Sequence, residues 1–274
     1  MCEWITETSE SDTRTSYPIQ NIVWEGSTDF CDSVIIADSD IFGRMLFLDG
    51  ELQSASADEH IYHEALVHPV MSCVGDNKRV LVIGGGEGAT VREVLKWNPG
   101  LVTWVDIDGQ LVDLCAEFLG WSPEVMKSPV VVYYPSDICD ILPYDNTLYD
   151  VIIMDLPDPD GDTGILYSDH FMNSLHEHLV TDGLIVSHCG PVRPYGNIGN
   201  GFQRLVQQFG SDKFYSQMIP SFQSEWGFMI WKENPVDRLY MPPSDCNVAD
   251  KHQLEVWRSR TKVWNDAIRL IDWN

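Results

Sequence analysis

RVLVIGGGEGATVREVLKW, residues 79–97, decides the fold. Val80-Leu81-Val82-Ile83 is an apolar, mostly β-branched run without charge, the pattern of a strand buried on both faces. Gly84-Gly85-Gly86, Glu87 and Gly88 follow. From Ala89 the spacing becomes helical, with Val91, Val94 and Leu95 on one side and Arg92, Glu93 and Lys96 on the other. Strand, glycine turn and helix form a nucleotide-binding βα unit. Gly84 and Gly86 let backbone approach a ligand closely, and the helix start offers free N–H groups.

Two features strengthen this reading. A second strand, residues 101–105, ends in Asp106, with Asp108 behind it, about twenty residues past the glycines, where an acid holds ribose hydroxyls. A third strand, residues 129–134, ends near Asp137. Glu87 is the unusual residue, because an acid at the centre of a pyrophosphate loop would repel its ligand. A ligand carrying an ammonium or a sulfonium fits better.

Working outward, residues 1–17 are polar and read as a partly mobile lead-in. Residues 19–53 read as β-hairpins, with strands at 22–24, 32–37 and 44–48 and a turn at Asp49-Gly50. Residues 58–73 read as a helix that Pro69 bends or ends. His63 and His68 on it are five apart, about 140° round the helix, so they do not make the zinc-protease pair, which needs a spacing of four. Further helices fall at 109–119, 168–179, 200–209 and 247–271, and further strands at 150–154, 183–188, 214–219 and 226–231. Alternating strands and helices predict an α/β, doubly wound, Rossmann-like sheet of the methyltransferase type. A small N-terminal β-hairpin domain (1–57) precedes the catalytic domain (58–274). Ligands bind outside the strand C-termini in such sheets. Glu87, Asp106, Asp137, Asp155 and Asp158 all fall there, as an acid crown.

The chain has 42 acidic against 17 basic residues, a formal net charge of −25. Nucleic acid is therefore disfavoured as a partner and a small polycation favoured. Seven cysteines without a CxxC pair fit reduced thiols, and the acidic N-terminus is not a signal peptide. No apolar run spans a membrane. The expectation is a cytoplasmic protein.

The pieces LFLDGELQ (46–53), DEHIYHE (58–64), GGGEG with VREVL (84–95), VDID (105–108), DLPDP (155–159), CGP (189–191) and PSFQSEWGF (220–228) together resemble the polyamine aminopropyltransferases, the spermidine synthase family. The residues Leu52-Gln53-Ser54-Ala55, the Glu in GGGEG, the DLxDP form and the Trp-Gly ending lean towards its thermospermine synthase branch. The resemblance implies decarboxylated S-adenosylmethionine as co-substrate, with no separate cofactor and no metal. It implies that Gln53 and His63 contact this donor, that Glu87 holds its ammonium, Asp106 its ribose and Asp137 its adenine amino group. Asp155 would be the catalytic acid–base residue. Tyr62, Asp158, Phe222 and Trp226 would line the acceptor channel. A homodimer or homotetramer is implied as well.

Where the family commonly has a tyrosine this chain has Phe222, and Ile138 replaces a small residue. The loop 160–164 is short and acidic, and no family pattern follows Pro235. The expected reaction uses spermidine to give thermospermine, with putrescine as the alternative acceptor. An ordinary methyltransferase and a non-catalytic polyamine-binding protein are the competing classes. Glu87 with DLPDP argues against the first, and Asp155 with Tyr62 against the second.

Overall fold

A computed structural model describes residues 3–8, 14–121, 124–157, 161–192, 205, 208, 214–231 and 239–258. Its centre is a seven-stranded sheet of β7 (Arg79–Gly84), β8 (Leu101–Asp106), β9 (Val131–Pro135), β10 (Tyr149–Asp155), β11 (Leu179–Pro191), β12 (Phe214–Ile219) and β13 (Ser224–Trp231). The spatial order is β12-β13-β11-β10-β7-β8-β9. Strands β7 to β11 run parallel, and β13 joins β11 antiparallel with β12 outside it. This is the doubly wound, methyltransferase-type order that the sequence predicts. The chain leaves β7 towards β8 on one side and returns to β10 on the other, so a switch point opens between β7 and β10.

The apolar run of β7 is buried on both faces for a direct reason. Val80 and Val82 enter one core with Val102, Trp104, Val151 and Ile153, while Leu81 and Ile83 enter another with Val105, Ile152 and Met154. Alternation at period two sends neighbours to opposite faces, and each buried side chain gains about 2 kcal/mol.

The first core is capped by α1 (Glu59–Val74) and α2 (Ala89–Leu95). Pro69 does not end α1, which continues to Val74. Proline cannot donate to the carbonyl four residues back. That carbonyl, Ala65 O, instead accepts from Tyr215 Oη at 2.8 Å. Helix α3 (Gly109–Phe118) starts on the Asp108 cap, α4 (Ile138–Ile141) on Asp137, and α5 (Asp169–Glu177) on Ser168. Ile138 packs into the second core.

The N-terminal strands differ from the expected mobile lead-in. β1 (Glu3–Thr8) pairs antiparallel with β2 (Arg14–Ile19), and the alternation of Tyr17 and Ile19 puts both in a core. Next come β3 (Asn21–Gly26), β4 (Val34–Ser39), β5 (Gly43–Leu48) and β6 (Glu51–Ala55), a four-stranded antiparallel meander. Val34, Ile36 and Leu46 face α3, packing on Leu111 and Cys115, while Ala37, Met45 and Phe47 face Tyr17 and Phe222. The meander is therefore fixed against the main sheet on the side of its strand C-termini.

A final helix, α6 (Lys251–Arg258), packs on β12. Apart from residues 205 and 208, the expected helix at 200–209 lies outside the described residues, as does the part of the last helix beyond 258. Among the described residues no helix is long and apolar enough to cross a membrane.

Candidate active site

Asp155 ends β10 directly opposite Gly84 at the end of β7. Gly85 N–H donates to Asp155 O at 2.8 Å. Only glycine fits here, since a Cβ on Gly84 would lie 2.2 Å from Asp155 O, and its φ is +80°. The Asp155 carboxylate is held from both sides. Tyr62 Oη donates to Oδ1 at 2.8 Å and Thr90 Oγ1 to Oδ2 at 2.5 Å. Two hydroxyl donors fix the carboxylate plane while leaving lone pairs for a further proton.

Asp106 ends β8 beside it and is buried. Its Oδ1 accepts from Asp108 N at 2.9 Å, and a Cβ on Gly86 would lie 3.2 Å from its Oδ2. Burial, and the charges of Asp108 and Asp155, push its carboxyl up to about 6 despite the Asp108 N–H bond. Beyond it a cleft of about 400 Å³ is lined by Phe30 of the β3–β4 loop, Ile107, Gln110, Asp113, Tyr133 and Pro135. Thr28 Oγ1 donates to Asp108 Oδ2 at 2.5 Å and ties that loop down. Asp137 stands at the end of β9, where its Oδ1 accepts from Cys139 N at 2.9 Å.

Glu87 does not stand as a bare acid. His63 Nε2 lies 2.7 Å from Glu87 Oε1. His63 Nδ1 is 2.7 Å from Glu59 O and 2.9 Å from Glu59 Oε2. Arg92 then clamps Glu59 with Nη1 to Oε1 at 3.0 Å and Nη2 to Oε2 at 2.9 Å. The resemblance gives His63 to the donor, but here both ring nitrogens are occupied by protein acceptors. Burial favours the neutral ring, yet the Glu87 and Glu59 carboxylates outweigh it and raise the His63 pKa well above its ordinary value. Burial likewise opposes ionisation of Glu59, and the His63 and Arg92 contacts outweigh it, bringing the carboxyl down to about 2.

On the other side of Asp155 the walls are aromatic. Tyr62 meets Phe222 at 6.2 Å and His188 at 6.0 Å between ring centroids, and Phe222 meets Trp226 at 4.7 Å. Trp226 Nε1 donates to His188 Nδ1 at 3.3 Å, so His188 carries its proton on Nε2 and donates it to Leu156 O, beside Asp155. Gln53 is exposed on β6, its amide 3.3 Å from Glu51 O. It borders a crevice shared with Tyr62, His63, Phe222, Ser54, Asp58 and Ser221. Asp58 Oδ2 accepts from Ser221 N at 2.6 Å, whereas Asp58 Oδ1, Ser54 Oγ and Ser221 Oγ are buried without a hydrogen-bond partner. The crevice is too narrow to hold a water molecule as it stands.

The structure thus gathers Tyr62, Gly84, Gly86, Glu87, Asp106 and Asp155 at the switch point, with Phe222 and Trp226 on one flank and Asp137 at the far end of β9. Asp158 lies outside the described residues. Sequence reading missed Thr90, His188, Glu59, Arg92 and Asp58. None carries a spacing signal, because the start of α1 (Asp58, Glu59), α2 (Thr90, Arg92) and β11 (His188) are brought together only by the fold. Glu64, His68 and Cys246 also approach one another. They do not form a ready metal site. Trp97 Nε1 donates to His68 Nδ1 at 2.9 Å, which leaves the proton on Nε2, the atom facing Cys246. Glu64 meanwhile accepts from the backbone N–H groups of Asn247, Val248 and Ala249.

Fold and site together define an α/β transferase-type protein with a nucleoside-sized cleft beside an anionic, aromatic-walled pocket. Comparison makes the class specific. Residues 59–240 match the spermine/spermidine synthase domain and residues 3–56 the spermidine synthase tetramerisation domain. A polyamine aminopropyltransferase of Pseudomonas aeruginosa is 35% identical over 241 residues, 81% of this chain and 68% of that one. A thermospermine synthase of Arabidopsis thaliana is 31% identical over 243 residues, 86% of this chain and 71% of that one. The crystal structure of a spermidine synthase bound to the transition-state analogue AdoDATO shares the fold, with a TM-score of 0.87 at 20% identity, covering 98% of this chain and 96% of that one. The chain belongs to the spermine/spermidine synthase family, the polyamine aminopropyltransferases.

Proposed function

We propose that this chain transfers the aminopropyl group of decarboxylated S-adenosylmethionine to spermidine, giving thermospermine and methylthioadenosine. The observation that carries the chemistry is Asp155, held by Tyr62 and Thr90 between an acidic donor side and an aromatic acceptor side. The nucleoside would lie in the cleft beside Asp106 and Ile107, with Asp137 at its adenine end. Its ammonium would face Glu87. Removal of the carboxylate from S-adenosylmethionine leaves a ligand cationic at both sulfonium and amine, which this acid crown attracts. Ordinary S-adenosylmethionine would bring its carboxylate against Glu87, an unfavourable contact that discriminates between the two.

The acceptor amine would lie among Tyr62, Phe222 and Trp226, whose ring faces attract alkylammonium groups. Asp155 takes the proton from the attacking nitrogen, directly or through water. The nitrogen lone pair forms a bond to the methylene beside the sulfonium. The carbon–sulfur bond breaks, and its electron pair leaves on sulfur as a neutral thioether. A neutral leaving group needs no acid, so neither a metal nor a further cofactor is required. Holding both substrates in line supplies much of the rate.

Likeness to a thermospermine synthase supports spermidine as acceptor. The tetramerisation-domain match at residues 3–56 supports assembly through the N-terminal strands, as a homotetramer or homodimer.

The test is turnover of decarboxylated S-adenosylmethionine with spermidine or putrescine, with products separated by isomer. Thermospermine is the expected product. Spermidine formed from putrescine alone would keep the chemistry and overturn the acceptor. Asp155→Asn is expected to lower kcat by about 10²–10⁴-fold.

A further inference from the structure

Asp155 is tied into a ring of hydrogen bonds. Its backbone carbonyl accepts from Gly85 N–H at 2.8 Å, and Gly85 O in turn accepts from Gly88 N–H at 2.7 Å. Gly88, at a φ of +74°, caps α2, and Thr90 is the second residue of that helix. A threonine in a first turn can bond its own backbone. This one is fully buried and reaches across instead, its Oγ1 donating to Asp155 Oδ2 at 2.5 Å. The ring therefore closes on the carboxylate, and the end of β10, the glycine turn and α2 hold it together.

The two carboxylate oxygens have different surroundings. Oδ2 lies over the turn, where a Cβ on Gly85 would come within 2.9 Å of it, and Thr90 approaches it from α2. Oδ1 receives Tyr62 Oη at 2.8 Å, and the Tyr62 ring borders Phe222 and the crevice shared with Gln53. Tyr62 uses one lone pair of Oδ1 and leaves the other.

We infer that Thr90 is a positioning residue: it fixes Oδ2 to the glycine turn, so that Oδ1 alone takes the proton of the attacking amine. The inference rests on the reading of Asp155 as the base. In that step the N–H bond breaks with its electron pair left on nitrogen, and the proton joins Oδ1. The torsion that turns a carboxylate about its Cβ–Cγ bond is broad, so one hydroxyl partner leaves the plane loosely set. A second donor, on the other oxygen, sets it. The same turn carries Glu87, the proposed ammonium site. Thr90 thus holds the base in register with the methylene that the amine attacks.

Thr90→Val keeps the shape of the side chain and removes its donor, whereas Thr90→Ser keeps the donor and removes a methyl group. Thr90→Val is expected to lower kcat by about 10–100-fold and to leave KM for both substrates within about twofold. Thr90→Ser should recover most of kcat. Loss of packing alone would give the opposite order, since serine leaves the larger gap. On an Asp155→Asn background Thr90→Val should add less than about threefold, because the two residues act as a unit. A Thr90→Val enzyme with wild-type kcat, or a Thr90→Ser enzyme as slow as Thr90→Val, would overturn the inference. A crystal structure of the Thr90→Val variant gives a reading that is independent of activity. The Asp155 carboxylate should be turned about χ2 or split between two orientations, and an unmoved carboxylate would overturn the inference. Wild-type turnover in Asp155→Asn would instead remove the base on which the inference rests.

Discussion

Helix α1 carries two buried histidines, one paired with Glu87 of the glycine turn and the other with Glu93 of α2, yet the two pairs differ in charge. His63 is 2.7 Å from Glu87 and His68 is 3.0 Å from Glu93. The third partner decides what each pair is. His63 Nδ1 meets acceptors, the Glu59 carbonyl and carboxylate, so the ring is held as a cation. His68 Nδ1 meets a donor, the Trp97 indole, so the ring stays neutral and only donates to Glu93. One pair therefore places charge at the switch point, while the other supports packing under the segment that begins at Cys246. Arg92 joins them, binding Glu59 on one side and Glu93 Oε1 at 2.9 Å on the other. Identical residue types at similar distances do different jobs, and only the orientation of the neighbouring donors separates them.

Removing the shared cation should break both pairs at once. Arg92→Met leaves two buried carboxylates short of a partner and is expected to cost about 3–5 kcal/mol, a fall in Tm on the order of 10 °C by calorimetry. A loss below about 1 kcal/mol would mean that the two networks are independent of Arg92.

The charged pair can be isolated by pH. Glu59 titrates near 2 in the folded chain against an ordinary 4.5, so its contribution is present above 4.5 and is lost as pH falls towards 2. His63 is raised above its ordinary 6.5, so its contribution is complete below that value and is lost as pH rises through the raised one. The stability difference between wild type and Glu59→Gln should therefore be on the order of 3 kcal/mol near pH 5.5 and vanish by about pH 2 in urea titrations. A difference that is independent of pH would show that Glu59 acts by packing alone.

The neutral pair has its own smaller test. Trp97→Phe removes the indole donor and should cost about 1–2 kcal/mol in urea titrations. Nitrogen-15 NMR should find His68 as a single Nε2–H tautomer in the wild type. A proton on His68 Nδ1 in the wild type would remove the contrast between the pairs.

Much of this was legible in the chain. The apolar run at β7, the glycines and the acid at the end of each strand announce a sheet with a site over its C-terminal edge. Period-two alternation and strand-end position are local properties, and sequence carries those well. The rest depended on partners distant in sequence. Pro69 looks like a helix end until Tyr215 from β12 takes the carbonyl that it orphans. Residues 1–17 look unstructured because β1 and β2 satisfy each other across a short link. Thr90 looks like an ordinary first-turn threonine, although it holds one oxygen of Asp155. Glu87 was readable as the odd acid, but its contact with His63 was not, because that ring is held by Glu59, which Arg92 clamps. The motif gives the position of His63 but not the Glu59 and Glu87 acceptors at its ring nitrogens, which come from the fold.

The account turns on an ionised Glu87 that accepts a cationic donor and turns away a carboxylate. Calorimetric binding of decarboxylated and ordinary S-adenosylmethionine to the wild type and to Glu87→Gln tests this directly. The account predicts that the decarboxylated ligand binds the wild type about a hundredfold more tightly, and that the preference collapses in the variant. Equal affinities in the wild type, or a preference that survives Glu87→Gln, would contradict it.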